Sequence, residues 1–237
     1  MQLTIKHPFL CLPVVSHPKD TRVLKLFDGE KLLLCVYFPF GEAAADNGTY
    51  SYEYLSPLPV SEWMGRTLTL SAEFPAGFED AVTQTDELPV SGEVHPAVHF
   101  TANAGWINDP NGLVYDNGTY HLYYQHNPFG VNWNNMSWGH ATSTDLLHWT
   151  QLPVAMLPDE EGTIFSGCGL TNEHRDEIQA AADSNLYRTL PKDALLFFYT
   201  NAGGSNDSPW SVGKDYTQHT AYSTDHGLTL QKLPGAV

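Results

Sequence analysis

The first 90 residues have the hydrophobic pattern of strands and tight turns rather than of helices. The segment VLKLFDGEKLLLCVYFPF, residues 23–40, consists of two apolar runs around Asp28-Gly29, which predicts a β-hairpin. RTLTLSAEF, residues 66–74, alternates polar and apolar residues with the period of a half-buried strand. The apolar run in residues 1–20 is short and interrupted by prolines, so it predicts a first strand rather than a signal peptide.

The amino-acid composition of the chain changes after residues 86–100, DELPVSGEVHPAVHF, a segment that contains two prolines and a glycine. Beyond them Trp, Asn, Gly and Tyr are dense, and short strand-like runs alternate with turns. We therefore predict two domains, an N-terminal β domain over residues 1–92 and a second domain over residues 93–237. The first has no cluster of histidines, carboxylates or nucleophiles, which favours a structural or sugar-contacting accessory role.

An internal repeat predicts the architecture of the second domain. GHATSTDLLHWTQLP, residues 139–153, resembles TAYSTDHGLTLQKLP, residues 220–234, and each copy follows an aromatic strand-like run. Repeated strands around a Ser-Thr-Asp turn indicate blades of a β-propeller, of which residues 95–237 would hold two. Between the copies, residues 173–188 are the one helical candidate, interpreted as a surface insertion. The predicted fold class is all-β.

Composition narrows the function without deciding it. With 11 Lys and Arg against 27 Asp and Glu, the formal charge is −16, which excludes nucleic acid and anionic membranes as partners held by general attraction. A neutral partner such as a sugar fits better, although acidity also serves solubility alone. The chain has no run of about 18 apolar residues that would predict a membrane-spanning helix.

The cysteines indicate neither a metal site nor a disulfide framework. Cys11, Cys35 and Cys168 are far apart, odd in number and without a Cys-X-X-Cys pair. We interpret them as reduced thiols and expect a cytoplasmic protein. No spacing of histidines and carboxylates predicts a metal or another cofactor.

The segment WINDPNG, residues 106–112, contains the strongest candidate for chemistry. Pro110 disfavours the α region for Asp109, and Asn111-Gly112 is a tight-turn pair. A carboxylate held on such a turn beside Trp106 could act as a nucleophile or as a fixed charge. The alternative is an ordinary turn in which Asp109 caps backbone N–H groups.

Further motifs extend this segment into a family resemblance. The chain resembles glycoside hydrolase family 32, which comprises invertases, inulinases, levanases and other β-fructosidases. The resemblance implies a five-bladed β-propeller, and the N-terminal residues resemble more loosely a small β domain that precedes the propeller in some bacterial members. The matching motifs occur in the family's order: WINDPNG (106–112), YYQHNP (123–128), SWGHATSTDLLHW (137–149), IFSGC (164–168) and AYSTDHGLT (221–229).

The resemblance implies roles for the matching residues. Asp109 would attack the anomeric carbon of a terminal β-fructofuranosyl unit, as the nucleophile of a retaining glycosidase. For Gln125 and Ser166 the alternative is an ordinary polar residue at a strand end, and for Trp133 and Phe165 it is core packing. The residues implied to line the sugar pocket are Asn108, Asn111, Gln125, Trp133, Phe165 and Ser166. In the same matched segments, Trp138 and His140 are assigned to packing between blades.

Two catalytic carboxylates of the family have no counterpart among the 237 residues. The family carries one in an Arg-Asp-Pro segment, which stabilises the transition state, and one in a Glu-Cys segment, which is the acid/base. Neither segment occurs, since Arg175-Asp176 is followed by Glu177. Cys168 also replaces a usual serine, and Asn134 and Ser137 replace a usual glycine and histidine. We therefore expect the front part of a β-fructosidase, a truncated chain with little activity alone.

Three functions are compatible with these residues. The first is a hydrolase that releases fructose from sucrose, inulin or levan through a covalent intermediate. The second is a non-catalytic remnant that binds the same sugars. The third, another five-bladed hydrolase of the arabinan-cleaving kind, is disfavoured because the whole WINDPNG string is present. Oligomeric state has no signal in the sequence.

Overall fold

The computed structural model describes residues 1–42, 49–90, 96, 98–174, 176, 186–204 and 206–235. Within these ranges the chain folds as four antiparallel sheets with only short helical turns. The strands are β1 (Gln2–Thr4), β2 (Phe9–Val14), β3 (Asp20–Asp28), β4 (Lys31–Phe40), β5 (Tyr54–Pro59), β6 (Thr67–Ser71), β7 (Thr83–Thr85), β8 (Trp106–Asp116), β9 (Thr119–Asn127), β10 (Ser137–Ser143), β11 (Thr150–Met156), β12 (Thr163–Thr171), β13 (Leu195–Ala202), β14 (Thr217–Ser223) and β15 (Gln231–Lys232). The helices are α1 (Phe78–Ala81), α2 (Leu186–Thr189) and two 3₁₀ turns, Ser61–Trp63 and Asn172–His174.

The N-terminal strands form two sheets around one core. One sheet has the order β1-β6-β3-β4 and the other the order β5-β2-β7. The predicted hairpin is confirmed: β3 and β4 meet at Gly29, whose φ of 58° is a conformation that glycine adopts at low cost. The alternating segment is also confirmed as β6, where Leu68 and Leu70 point into the core. This core is closed by aromatic side chains, among them Phe38, Phe40 and Phe78.

The second half of the chain forms two four-stranded meanders, as predicted from the repeat. The sheet orders are β8-β9-β10-β11 and β12-β13-β14-β15, so each sheet follows the chain strand by strand, as a propeller blade does. Here they are called blade 1 and blade 2. Trp138 is buried between them against Phe197 and Tyr199, as predicted, and His140 is buried against His121 and Tyr123 of its own blade. Five as the number of blades in the whole protein stays a prediction.

The two Ser-Thr-Asp turns are structurally equivalent. Ser143 ends β10 and Ser223 ends β14, the third strand of each blade. In both turns the serine Oγ donates to the aspartate Oδ1, at 3.1 Å from Ser143 to Asp145 and at 2.7 Å from Ser223 to Asp225. Further along the turn, Asp145 accepts the backbone N–H groups of Leu147 and His148, and Asp225 accepts that of Thr229. The sequence repeat therefore marks one structural unit built twice.

Two predictions fall on parts of the chain that lie outside the described ranges. The predicted domain boundary at residue 92 is one of them. Most of the predicted helix 173–188 is the other; its described parts are the 3₁₀ turn Asn172–His174 and α2. In the described ranges no helix has the length and apolar character needed to cross a membrane.

Candidate active site

The WINDPNG segment is a doubly bulged strand, and the predicted tight turn at Asn111-Gly112 is wrong. Residues 106–116 pair with β9, but the four residues from Ile107 to Pro110 span only three on β9, and the same occurs from Asn111 to Val114. Each shift adds one residue to β8, as a β-bulge does. Pro110 is tolerated because it sits at the first bulge, where a missing N–H costs little. The expected extended conformation of Asp109 is retained.

The first bulge explains why Asp109 is accessible. In a regular strand, neighbouring side chains point to opposite faces. Here Asn108 and Asp109 are both exposed, while Asn111 is buried at 1% exposure. The extra residue thus turns the carboxylate outward without interrupting the strand.

The second bulge depends on Gly112. Its φ is 49°, and a Cβ at this position would lie 3.0 Å from ring atoms of Tyr123, Trp138 and Phe197. All three rings are fully buried between the blades. Glycine is therefore needed for the backbone conformation and for the close approach of β8 to the aromatic layer.

Blade 2 has a matching bulge in its first strand, β12. The four residues from Ile164 to Gly167 span only three residues of β13, so Phe165 and Ser166 together face a single residue. Ser166 Oγ donates a hydrogen bond of 2.8 Å to Asp109 Oδ2. The bulges of the two blades thus face each other, and the predicted residues Asp109 and Ser166 meet at their junction.

Asn111 and Gln125 form a buried layer behind the carboxylate. Gln125 is 2% exposed, and its Nε2 donates to the backbone oxygen of Ile164 at 2.9 Å. In the amide orientation that matches donors with acceptors, Asn111 accepts hydrogen bonds from Gln125 Nε2 at 2.9 Å and from Gln125 N at 3.1 Å. The structure thus places both amides inside a network that joins the two blades, and direct sugar contacts of these two residues stay a prediction.

Two aromatic side chains contact Phe165, the neighbour of Ser166 in the bulge of β12. The rings of Trp133 and Phe165 meet edge to face, with centroids 5.8 Å apart, and Trp133 is 46% exposed. On the other side, Tyr216 meets Phe165 at 6.2 Å. Tyr216 was missed in the sequence because it precedes β14 in a segment without a motif. Trp106 Nε1 donates to Asn108 Oδ1 at 2.8 Å, so Asn108 is fixed by its neighbour in the strand.

The histidines behind the site are held neutral. Burial lowers the pKa of His126 to about 4, even though its Nδ1 lies 2.9 Å from the backbone oxygen of Trp106. Burial, and secondarily His121, lowers the pKa of His140 to about 3. At neutral pH these rings therefore act as hydrogen-bonding packing groups rather than as proton donors. Within the described ranges, no group of three or more His, Cys, Asp or Glu side chains could hold a metal ion.

A comparison with family models decides the relationship. The model described as the glycosyl hydrolases family 32 N-terminal domain matches residues 99–236, more than half of the chain. The chain belongs to glycosyl hydrolases family 32. The resemblance of the motifs is thereby confirmed, and the match covers all the predicted site residues.

Individual members of family 32 are similar over the same part of the chain. The levanase of Bacillus subtilis is 38% identical over 169 residues, which are 71% of this chain and 22% of that protein. The extracellular exo-inulinase of Aspergillus niger is 43% identical over 143 residues, 55% of this chain and 25% of that protein. The chain thus spans about a quarter or less of these relatives. A fructofuranosidase structure from Schwanniomyces occidentalis, complexed with fructose, aligns with a TM-score of 0.47 and 33% identity over 59% of this chain and 26% of that chain.

The family 32 positions thus divide into two layers in this structure. Asp109 and Ser166 meet at the exposed junction, with Trp133 and Phe165 as an aromatic pair and Asn108 beside Trp106. Asn111 and Gln125 lie beneath. Cys168, the unusual replacement in the IFSGC segment, is exposed two residues beyond Ser166.

Proposed function

We propose that this chain supplies the nucleophile and one wall of the sugar pocket of a retaining β-fructosidase. The observation that carries the proposal is the hydrogen bond of 2.8 Å from Ser166 Oγ to Asp109 Oδ2, which holds an exposed carboxylate between two blades. A nucleophile must be accessible and fixed in direction. The bulge makes Asp109 accessible, and Ser166 fixes one of its oxygens.

In the proposed reaction, a carboxylate oxygen of Asp109 attacks the anomeric carbon of a terminal fructosyl unit. The glycosidic bond breaks as the ester to Asp109 forms, and the leaving oxygen takes a proton from a carboxylic acid. That acid, then a carboxylate, removes a proton from water, and the resulting hydroxide releases fructose and restores Asp109. In retaining enzymes the two carboxyl groups stand about 5–5.5 Å apart. The family's Glu-Cys segment, which carries this acid, does not occur in the 237 residues.

Fructosides are the proposed substrate class. The similar proteins are named as a levanase and an exo-inulinase. The aromatic pair of Trp133 and Phe165 beside exposed polar groups is a surface suited to a sugar, which has apolar C–H faces and hydroxyl edges. We propose sucrose and β-linked fructans without choosing a linkage.

Binding without turnover is the second candidate function. It is favoured by one observation: the exposed junction has the carboxylate hydrogen-bonded to Ser166 and the adjacent pair of Phe165 and Trp133, while the chain has neither the Arg-Asp-Pro nor the Glu-Cys segment. General acid–base catalysis contributes about 10²–10⁴-fold, so loss of the acid would leave recognition and remove most of the rate.

The test combines fructose release with binding. Release from sucrose, inulin and levan is measured for the 237-residue chain and for Asp109→Asn, which keeps an acceptor for Ser166 but removes the nucleophile. Asp86→Asn, a change of an exposed carboxylate in the N-terminal domain, is the matched control. Release that is lost only in Asp109→Asn supports the hydrolase. Binding of the same sugars without release supports the second candidate, and neither binding nor release by folded protein contradicts both.

A further inference from the structure

The loop that carries Trp133 is held by the N-terminal domain. This loop, residues 128–136, connects β9 to β10 in blade 1. At its start Phe129 is 1% exposed and belongs to the N-terminal core, with its ring 6.3 Å from that of Phe38. Tyr54 of β5 also donates through its hydroxyl to the backbone oxygen of Pro128 at 3.4 Å. The first turn of the loop is therefore anchored outside the blade to which it belongs.

Asn135 anchors the other end of the same loop. Its Oδ1 accepts the backbone N–H of Tyr37 at 3.0 Å, and its Nδ2 donates to the backbone oxygen of Tyr37 at 2.8 Å. Tyr37 lies on β4, which is the edge strand of its sheet. The amide of Asn135 thus pairs with both backbone groups of an edge residue, as a neighbouring strand would.

The backbone of Asn135 connects this contact to both blades. Its N–H donates to the backbone oxygen of Asp207 at 2.7 Å, in the blade 2 segment between β13 and β14. Its own backbone oxygen accepts from Ser137 Oγ at 2.8 Å. Asn135 is fully buried with a φ of 44°, a conformation that asparagine adopts more readily than most residues. One residue therefore joins the N-terminal domain, the Trp133 loop and the segment that leads to Tyr216.

We propose that Asn135 is a positioning residue through which the N-terminal domain fixes the aromatic wall of the sugar pocket. The inference rests on the proposed function, because it assumes that Trp133 contacts the fructoside. The inference goes beyond the proposed function because it assigns a role to the N-terminal domain, which is to hold the Trp133 loop in place. Without the side-chain amide, the Trp133 loop would keep its covalent ends, its Phe129 anchor and the backbone bond from Asn135 to Asp207, but lose its attachment to β4 two residues after the tryptophan.

The variant Asn135→Gly removes both amide hydrogen bonds to Tyr37, together with a longer one of 3.4 Å to Asn127 Oδ1, and tolerates the positive φ. The first measurement is the indole ¹H–¹⁵N spectrum, with the Trp133 signal assigned by Trp133→Phe. We expect the Trp133 signal to shift or broaden in Asn135→Gly, while the signal of buried Trp138 stays in place. Leu68→Ala is the matched control, since it destabilises the same domain from β6, two strands away from β4 and so about 10 Å distant. An unmoved Trp133 signal, or equal movement in Leu68→Ala, would overturn the proposal.

The second measurement is a double-mutant cycle on binding of sucrose and of a fructo-oligosaccharide. We expect Asn135→Gly to weaken binding by about three- to tenfold, the scale of one or two lost hydrogen bonds. In the Trp133→Ala background, Asn135→Gly should weaken binding almost no further, because the side chain that Asn135 positions is absent. Equal losses in both backgrounds would overturn the proposal. If the unaltered chain binds no fructoside, the proposed function fails, and the indole spectra alone decide whether Asn135 positions Trp133.

Discussion

Replacing Gly112 by alanine tests whether the second bulge of β8 determines how closely the two blades pack. The added Cβ would lie 3.0 Å from atoms of three fully buried rings, and the φ of 49° would place alanine in the left-handed region. The backbone conformation costs about 1–2 kcal/mol for a residue with a Cβ. Overpacking a full core costs typically about 1–3 kcal/mol more. We therefore expect the free energy of unfolding to fall by about 2–5 kcal/mol.

Gly118→Ala separates these two contributions. Gly118 also has a positive φ, 86°, but its Cβ would meet nothing within 4 Å. It should show the backbone cost alone, about 1–2 kcal/mol. Urea unfolding followed by tryptophan fluorescence gives both values under the same conditions. If the two variants lose the same free energy of unfolding, the rings around Gly112 move aside at no cost. That result would refute the inference that these rings restrain the bulge.

Two further predictions concern the buried groups behind the site. Burial lowers the pKa of His126 from 6.5 to about 4. As the pH falls from about 6.5 towards 4, the unfolded state therefore binds a proton before the folded state does, and the free energy of unfolding decreases across this window. The difference between the two pKa values corresponds to about 3 kcal/mol. In urea titrations, His126→Gln should reduce the difference in unfolding free energy between pH 7 and pH 4 by about that amount. An unchanged difference would contradict the lowered pKa of His126. Tyr123→Phe removes the hydrogen bond of 2.5 Å from its hydroxyl to the oxygen of Gly227 and should cost about 1–3 kcal/mol. The control is Tyr124→Phe, because the buried hydroxyl of Tyr124 has no partner in the described ranges. A similar loss of stability in both variants would contradict a stabilising role for the hydrogen bond to Gly227.

The sequence predicted the fold where local pattern and tertiary packing agree. The hairpin at Gly29 follows from its turn residues, and the blades follow from a repeat whose two turns have the same serine–aspartate hydrogen bonds. The segment around Asp109 was predicted as a turn because Pro, Asn and Gly usually end a strand. It is instead a strand with two bulges, since pairing with β9 outweighs the local preference.

The candidate site was predictable only in part, for a physical reason. The resemblance located Asp109 and Ser166, which are 57 residues apart and hydrogen-bonded in the structure. It did not indicate the burial of Asn111 and Gln125, because an amide beside a pocket and an amide beneath it have the same sequence signal. Nor did it indicate Asn135, whose partner Tyr37 is 98 residues away and offers only backbone atoms, which leave no trace in side-chain patterns.

The meeting of two bulges from separate sheets has a consequence for engineering. Asp109 belongs to blade 1 and Ser166 to blade 2, so the hydrogen bond between them depends on how the two sheets pack against each other. The two sheets pack through the aromatic layer behind these residues, in which Trp138 contacts Phe197 and Tyr199. Changing the volume of this layer would widen or narrow the pocket from behind while every exposed residue stays the same. Under the proposed function, libraries that aim at altered sugar preference can vary this buried layer and leave the exposed residues unchanged.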